Sequence, residues 1–372
     1  MSGTKSGMHI VVIEAMLVDI PMKGAVSGVH GTTAMQRSAL VRVASDDGAE
    51  GWGDVDPTPG YSVMSAEAVV QTVSDLAPVL MGRDPFNVLA ALSAMDEKAL
   101  GRFEAKAAVE MALYDLKGRA LGIPVHSLLG GRVKDVITLN AWIGTVPPPQ
   151  AAREALAWLE RGFTTAKIKV AGPSPEGIER VAAVRQAVGA RMALRVDFNE
   201  SLRPEEAVDV IRRLTPFDLT LVEQPVPRGD VAGLARIRRA VDVPLMADES
   251  VSDPASLIDI IRREAADIVK LKVMKQGGLR RTCQMIECAA AAGLRVVIGH
   301  GFGLTLSTLA EAAVAATSQA VMDGCEAVGP LKMAADVVAT PLDLDGGAIA
   351  LSDAPGLGAR VDPLALERHR VR

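Results

Sequence analysis

Seven ionisable residues recur at near-constant spacing through the second half of this sequence: Lys169, Asp197, Glu223, Asp248, Lys272, His300 and Glu326. The successive separations are 28, 26, 25, 24, 28 and 26 residues, and Trp142 stands 27 residues before the first. One strand–helix unit has about this length, and in a βα barrel the C-terminal ends of successive strands converge on one mouth. Three carboxylates gathered there repel one another unless a cation sits among them. A donor set made only of oxygen favours a hard ion, Mg²⁺ with Mn²⁺ as an alternative, over Zn²⁺. Lysines beside such an ion feel its charge, each other and burial, all of which push an ammonium toward the range where it can act as a base. The chemistry to expect is stabilisation of the enediolate that forms when a proton leaves the carbon next to a carboxylate, a known use of lysine-and-Mg²⁺ sites.

The elements that must position these residues follow from hydrophobic periodicity. From about residue 136, short apolar runs alternate with helical segments: 137–143, 165–170, 193–196, 219–222, 244–247, 268–271, 295–298 and 319–322. Eight such runs predict a βα barrel. Before them, 9–21 and 38–54 read as strands, the second range folding back at Asp46, Asp47 and Gly48. Helices are expected near 65–80, 87–99 and 102–120. In the third, Val109, Ala112, Leu113 and Leu116 mark one apolar face, and Gly122 and Pro124 end it. The segment after Gly329 reads as a return to the N-terminal domain, because the eight barrel runs are already complete.

Taken singly, the site residues have plain explanations. An Asp after a strand is usually a cap or turn residue. Lys167, Ile168 and Lys169 alone could be a strand with exposed alternating lysines, and His300 between two glycines could be a loop residue. His30 and Trp142 could be packing residues. Seven positions in phase are harder to explain that way.

Composition narrows the class. The 372 residues are 49% hydrophobic and 23% charged, as in a globular chain of more than one domain. A net charge of −5 with no basic, aromatic-laced run gives no reason to expect nucleic acid or an anionic membrane surface. No apolar stretch approaches the roughly 20 residues that span a bilayer. Three cysteines, with no CxxC pattern and no secretory apolar region, fit a reducing cytoplasm.

Over nearly its whole length the chain resembles the muconate-lactonizing subgroup of the enolase superfamily. Lys167-Ile168-Lys169 is similar to its K-x-K, Asp197-Phe198-Asn199 to its D-x-N and Glu223-Gln224-Pro225 to its E-Q-P. Ala247-Asp248-Glu249-Ser250 is similar to its A-D-E-S, and Lys272, five residues before Gly277, to its sixth-strand lysine. The segments from Ala112 to Gly118 and from Leu128 to Gly131 are also similar. The resemblance implies an α/β fold: a (β/α)₇β modified TIM barrel (133–329) with an N-terminal α+β capping domain (1–132, plus a C-terminal return of about 330–372). It implies Mg²⁺ held by Asp197, Glu223 and Asp248, and bases Lys169 and Lys272. Lys167 and Glu326 complete the expected catalytic set. Asn199, Glu249, His300, Trp142, Tyr61 and His30 are candidates for touching substrate, with cap loops at 26–30 and 58–62 selecting it. The partners implied are a small-molecule carboxylate and further copies of the chain in a homo-oligomer.

Within that subgroup, Glu326 three residues before Gly329-Pro330 is similar to the cycloisomerase pattern. Dipeptide epimerases usually carry D-x-D there to hold a substrate ammonium, and Val328 at the second position argues against a dipeptide. His300 at the seventh strand departs from the cycloisomerase pattern. The best reading is an enzyme, an isomerase or lyase of the muconate cycloisomerase type. The alternatives are an N-acylamino acid racemase, an o-succinylbenzoate synthase-like enzyme, and a non-catalytic carboxylate-binding protein on the same fold.

Overall fold

The computed structural model describes residues 7–28 and 31–371. Three antiparallel strands, β1 (Ile10–Gly28), β2 (Gly31–Ser45) and β3 (Glu50–Val55), form the N-terminal sheet. Strand β1 runs further than the β-branched stretch that predicts it. The β2–β3 turn lies where Asp46, Asp47 and Gly48 place it, with Gly48 at φ +86° and its N–H donating to the Ser45 carbonyl at 3.0 Å. Three helices follow: α1 (Ala66–Leu80), α2 (Val88–Lys98) and α3 (Phe103–Leu121). Ser65 and Asn87 cap the first two with side-chain oxygens, and Gly122 ends the third in the left-handed conformation.

Helix α3 is buried on nearly every side from Glu104 to Leu116, not on one apolar face only. The reason is its position between sheet and barrel. It lies directly on β3, because a Cβ at Gly51 would stand 2.2 Å from the Ala112 carbonyl oxygen and one at Gly53 2.4 Å from that of Ala108. The buried Asp115 carboxylate joins three parts of the chain. It accepts from the Trp52 N–H at 3.0 Å, the Leu357 N–H at 2.7 Å and Arg119 Nε at 2.8 Å.

The barrel is built on a seven-stranded parallel sheet: β5 (Ala141–Ile143), β6 (Thr165–Lys169), β7 (Ala193–Asp197), β8 (Leu219–Glu223), β9 (Leu245–Ala247), β10 (Ile268–Leu271) and β11 (Arg295–Ile298). Two of the expected strands differ. The run 137–143 is two strands, since β4 (Val136–Thr138) turns away to pair antiparallel with β12 (Ala348–Ala350). The run 319–322 forms a single bridge, Val321 with Val296, in place of a strand. The segment still closes the barrel. Met322 N–H donates to Val296 O at 2.7 Å, Glu326 N–H to Ile298 O at 2.7 Å, and Cys325 N–H to Thr138 O at 2.8 Å. Gly324 at φ +75° breaks the strand geometry, and the carbonyls of Asp323 and Gly324 turn to the guanidinium of Arg195.

Inside the barrel, residues two apart point inward. Leu221, Met246, Ile268 and Val297 make a small apolar cluster of their own. Two residues further along three of those strands stand Glu223, Asp248 and Lys270. The tail divides its contacts. Met333 and Arg370 bridge to Met22 and Val18 of the N-terminal sheet, while β12 and Gly346 bond to the barrel side, the latter to Arg161 O at 3.0 Å. Among the described residues no helix is long and apolar enough to cross a membrane.

Glu110 of α3 docks against the loop before helix Leu279–Ala291, accepting from the Arg280 N–H at 3.1 Å. Its other oxygen has no partner and fills the space that Gly278 leaves by lacking a side chain. Burial pushes this carboxyl up to about 8. The folded state therefore keeps a proton that the unfolded chain loses near the ordinary value, so this stabilisation is full at acid pH and is lost as pH rises through about 8. Glu110→Gln should flatten the decline in thermal midpoint between pH 5 and 8. Parallel pH profiles for the two proteins in scanning calorimetry would rule this out.

Candidate active site

The ionisable residues expected at the strand ends do converge. Lys169, Asp197 and Glu223 are the last residues of β6, β7 and β8, while Asp248 and Lys272 directly follow β9 and β10. Asp197 and Glu223 are fully buried and Asp248 is 2% exposed. Lys169 Nζ donates to Asp197 Oδ2 at 2.7 Å and to Asn199 Oδ1. Across the mouth, Lys272 Nζ donates to both oxygens of Asp248, at 2.8 and 2.7 Å. Tyr61, carried in by the cap loop, donates to Asp248 Oδ1 at 2.8 Å and meets Lys272 Nζ with its hydroxyl.

One layer deeper lie two more lysines. Lys167 is 2.6 Å from Glu326 Oε1 and 3.1 Å from Asp197 Oδ2. Lys270, not singled out from the sequence, reaches Glu223 Oε1 at 2.9 Å and also contacts Glu326. It was legible, because Lys270-Leu271-Lys272 repeats the alternation of Lys167-Ile168-Lys169 and period two puts both lysines on the inner face. Lys275 and Lys332 were missed as well. Lys275 donates to the backbone oxygen of Asp248 at 2.6 Å. Lys332 sits over the rings of Trp142 at 4.5 Å and Phe302 at 4.3 Å.

The motifs explain themselves as hydrogen-bonded links between neighbouring strand ends. Asn199 sits at φ 42° with its N–H on Asp197 Oδ1 at 2.9 Å, and its amide nitrogen donates to Glu249 Oε1 at 3.0 Å. Gln224, at φ 34°, accepts from the N–H groups of Asp248 at 3.0 Å and Ser250 at 3.2 Å. Its amide donates to Ser250 Oγ at 2.8 Å. Left-handed backbone at non-glycine residues is costly and persists where surrounding bonds hold it.

His300 and Trp142 each have packing partners of their own. His300 is buried against the helix Thr305–Ala315, its Nδ1 3.1 Å from Glu311 Oε1 and its Nε2 3.9 Å from Asp56 Oδ2. His30 lies outside the described residues. Trp142 packs 4.5 Å from Trp158, so its ring lies between that side chain and Lys332.

Charge coupling shifts several groups. Burial alone would raise Asp197, but Lys169 and Lys167 bring it down to about 2. Asp248 and Glu326 are likewise held well below the usual range by lysines despite burial. Glu223 is raised, by burial and then by Asp197. Burial and neighbouring Asp248 lift Glu249 to about 7. Burial lowers Lys272 to about 8 against the pull of Asp248.

Lysine ammoniums stand between the carboxylates, so among the described residues no three metal-ligating side chains are grouped around one point as they stand. The donor set nevertheless fits a hard divalent ion. Asp197, Glu223 and Asp248 supply only oxygen, on three adjacent strands. Glu223 Oε2 is buried with no hydrogen-bond donor, and the ammoniums standing on all three carboxylates mark where positive charge is required.

Comparison with known proteins agrees with this geometry. Residues 9–130 match the mandelate racemase / muconate lactonizing enzyme N-terminal domain, and residues 150–365 match the enolase C-terminal domain-like family. The L-Ala-D/L-Glu epimerase of Bacillus subtilis is 34% identical over 357 residues, covering 94% of this chain and 96% of the relative. The N-succinyl-L-Arg/Lys racemase of Bacillus cereus is 30% identical over 366 residues, 98% of each chain. The solved muconate lactonizing enzyme of Pseudomonas fluorescens, complexed with muconolactone, superposes with a TM-score of 0.94 at 30% identity, covering 97% of this chain and 99% of that one.

Lys270 offsets two buried carboxylates at once, so its removal should be costly. Lys270→Met should lower stability to urea by about 3–5 kcal/mol at pH 7, the usual result of leaving buried charges uncompensated. An unchanged unfolding midpoint would show that Lys167 alone neutralises Glu326 and that Glu223 needs no donor.

Proposed function

The chain belongs to the mandelate racemase / muconate lactonizing enzyme family of the enolase superfamily, and on that premise we propose that it moves a proton on the carbon next to a substrate carboxylate, as a Mg²⁺-dependent cycloisomerase of the muconate type. It is an enzyme of a superfamily whose members generally use Mg²⁺. The observation that carries the reading is the placement of two lysines on the outer members of the carboxylate trio. Lys169 ends on Asp197 and Lys272 on Asp248, with Glu223 between them in strand order.

Asp197, Glu223 and Asp248 would hold the ion, which when bound supplies positive charge to a substrate carboxylate. Lys169, oriented by Asn199 Oδ1, takes or returns the α-proton on one face of the substrate. Lys272, oriented by the Tyr61 hydroxyl, stands at the other face and supplies positive charge as negative charge develops. Tyr61 stays protonated, because burial and the charge of Asp248 hold it well above the usual phenol range, and it helps the cap loop exclude water. With this reading goes a proposed division of labour: a capping domain of 1–132, joined by the tail through Met333 and Arg370, over a barrel of 133–329. Val328 is fully buried where a dipeptide's ammonium would need a carboxylate, which supports cycloisomerisation over dipeptide epimerisation.

A second reading, racemisation of an N-acylated amino acid, is favoured by the near-symmetry of the lysines. Each has one carboxylate and one neutral oriented partner.

Deuterium exchange at the α-carbon, read by NMR in D₂O with Mg²⁺, separates the two readings. In a cycloisomerase, Lys169→Ala should lose about 10²–10⁴-fold of the proton transfer, and Lys272→Ala distinctly less. In a racemase, both variants should stop racemisation, each keeping exchange with one enantiomer. Exchange that survives unchanged in both would remove the lysine assignment.

The metal assignment has its own test. Asp248→Asn should fold, bind Mg²⁺ weakly by calorimetry and be inactive. Full activity of that variant, or of protein stripped with EDTA, would refute it.

A further inference from the structure

A second buried polar cluster lies where the N-terminal sheet meets the barrel, apart from the carboxylates at the strand ends. Asp54, in the last turn of β3, and Asp56, just after it, are both fully buried. Asp54 accepts from the Ser307 N–H at 2.7 Å and from the Ser307 hydroxyl at 2.8 Å. Asp56 accepts from Ser38 Oγ of β2 and faces the same Ser307 hydroxyl at 3.1 Å. One hydroxyl hydrogen cannot satisfy both carboxylates. Asp336 of the tail reaches the same helix start, accepting from the Thr305 N–H at 3.0 Å and its hydroxyl at 2.8 Å.

His300 enters this cluster from the end of β11. Its Nδ1 is held 3.1 Å from Glu311 Oε1, while its Nε2 is buried without a hydrogen-bond partner and stands 3.9 Å from Asp56 Oδ2. Gly303, at φ +122°, is what lets these groups meet: a Cβ there would lie 2.8 Å from Ser307 Oγ, 3.0 Å from His300 Cε1 and 3.2 Å from Asp56 Oδ2. Among the described residues no lysine or arginine is within ion-pair distance of Asp54, Asp56, Glu311 or Asp336, so His300 is the one basic side chain facing them. Burial holds Asp54 well above the usual carboxylate range and raises Asp56 as well, so protons are retained here. A buried ring nitrogen left unpaired is costly. One proton between Nε2 and Asp56 Oδ2 satisfies both atoms, whichever carries it, once they approach by about 1 Å.

The chain beyond Asp56 is short and stiff. Only Pro57, whose ring fixes φ, separates Asp56 from Thr58. From there the loop closes on itself. The Thr58 carbonyl accepts from the N–H groups of Tyr61 at 3.1 Å and Ser62 at 2.9 Å, and the Thr58 N–H donates to Ser62 Oγ at 2.9 Å. A displacement at Asp56 is therefore passed to Tyr61, whose hydroxyl stands on Asp248 and Lys272. We propose that His300 is a positioning residue which, through its Nε2 and Asp56, sets where the cap loop holds Tyr61. The seventh-strand histidine then works on the cap, and its effect on catalysis rests on the reading of the strand ends as the active site.

Fluorine NMR tests the link without any substrate. The chain has two tyrosines, Tyr61 and Tyr114, so protein made with meta-fluorotyrosine gives two signals, which Tyr61→Phe assigns. Tyr114, in α3 beside Glu110, serves as the internal reference. In Mg²⁺ buffer, His300→Asn, whose amide reaches the position of Nδ1 but not of Nε2, should move the Tyr61 signal by more than its linewidth and leave Tyr114 in place. His300→Gln, whose amide reaches the position of Nε2, should keep the Tyr61 signal near that of the wild type. A Tyr61 signal unmoved in His300→Asn, one that moves as far in His300→Gln, or a Tyr114 signal that moves along with it would each overturn the proposal. The result is separate from the exchange experiment: failure of α-proton exchange leaves the link to Tyr61 standing, and an unmoved Tyr61 signal leaves the proton-transfer reading standing.

Discussion

Five carboxylates that share one barrel mouth have to be neutralised by side chains from the same walls. None of Asp197, Glu223, Asp248, Glu249 and Glu326 is more than 5% exposed, so water cannot do it. Breaking a buried pair by removing one partner leaves an unscreened charge, a far larger loss than that of an exposed pair. This constraint explains why the inward positions of β6 and β10 are lysine twice over. A different need is met by Arg195, whose guanidinium donates to the carbonyls of Asp323 and Gly324 in the wall where the regular strand pattern stops.

Neutralisation alone would permit a disordered cluster. The backbone fixes it. Gln224 bonds the start of the next loop through two N–H groups, and Asn199 joins Asp197, Lys169 and Glu249. Strand ends are thus tied laterally, each to its neighbour, above the apolar cluster of Leu221, Met246, Ile268 and Val297. The cap enters this belt at one described point, Tyr61, held in its loop by Ser62 and the carbonyl of Thr58. Charged groups are consequently held by paired side chains on rigid elements, the arrangement that keeps reacting atoms in register.

Much of this was legible in the sequence because a barrel converts spacing into proximity. Steps of 24 to 28 residues are enough to bring Lys169, Asp197, Glu223, Asp248 and Lys272 to one mouth. Period two within a strand also announced Lys270, although it falls outside the strand-to-strand spacing that marks the others. Other features carried no such signal. Lys332 lies on a four-residue helix whose direction no periodicity sets. His300 keeps the right spacing, but the glycines beside it let the chain turn its ring toward Glu311. The eighth run has the composition of a strand, and its single bridge depends on Gly324 and on a guanidinium supplied from β7. Helix α3 shows an apolar stripe because helices usually have one wet side, and only the sheet packed at Gly51 and Gly53 reveals that this one is enclosed.

The tail's attachment has a bearing on how the molecule is made. Val18 bridges to Arg370, and the Val371 N–H donates to the Leu17 carbonyl at 2.9 Å. The first strand is therefore completed by residues translated more than 350 positions later. On a ribosome the N-terminal sheet emerges early with one edge unpaired, and the whole barrel is synthesised before its partner arrives. Closing so long a loop costs only slightly more entropy than closing a moderate one, but the wait leaves an open strand edge exposed throughout synthesis. For this chain, the vulnerable moment is the interval between making the cap and sealing it.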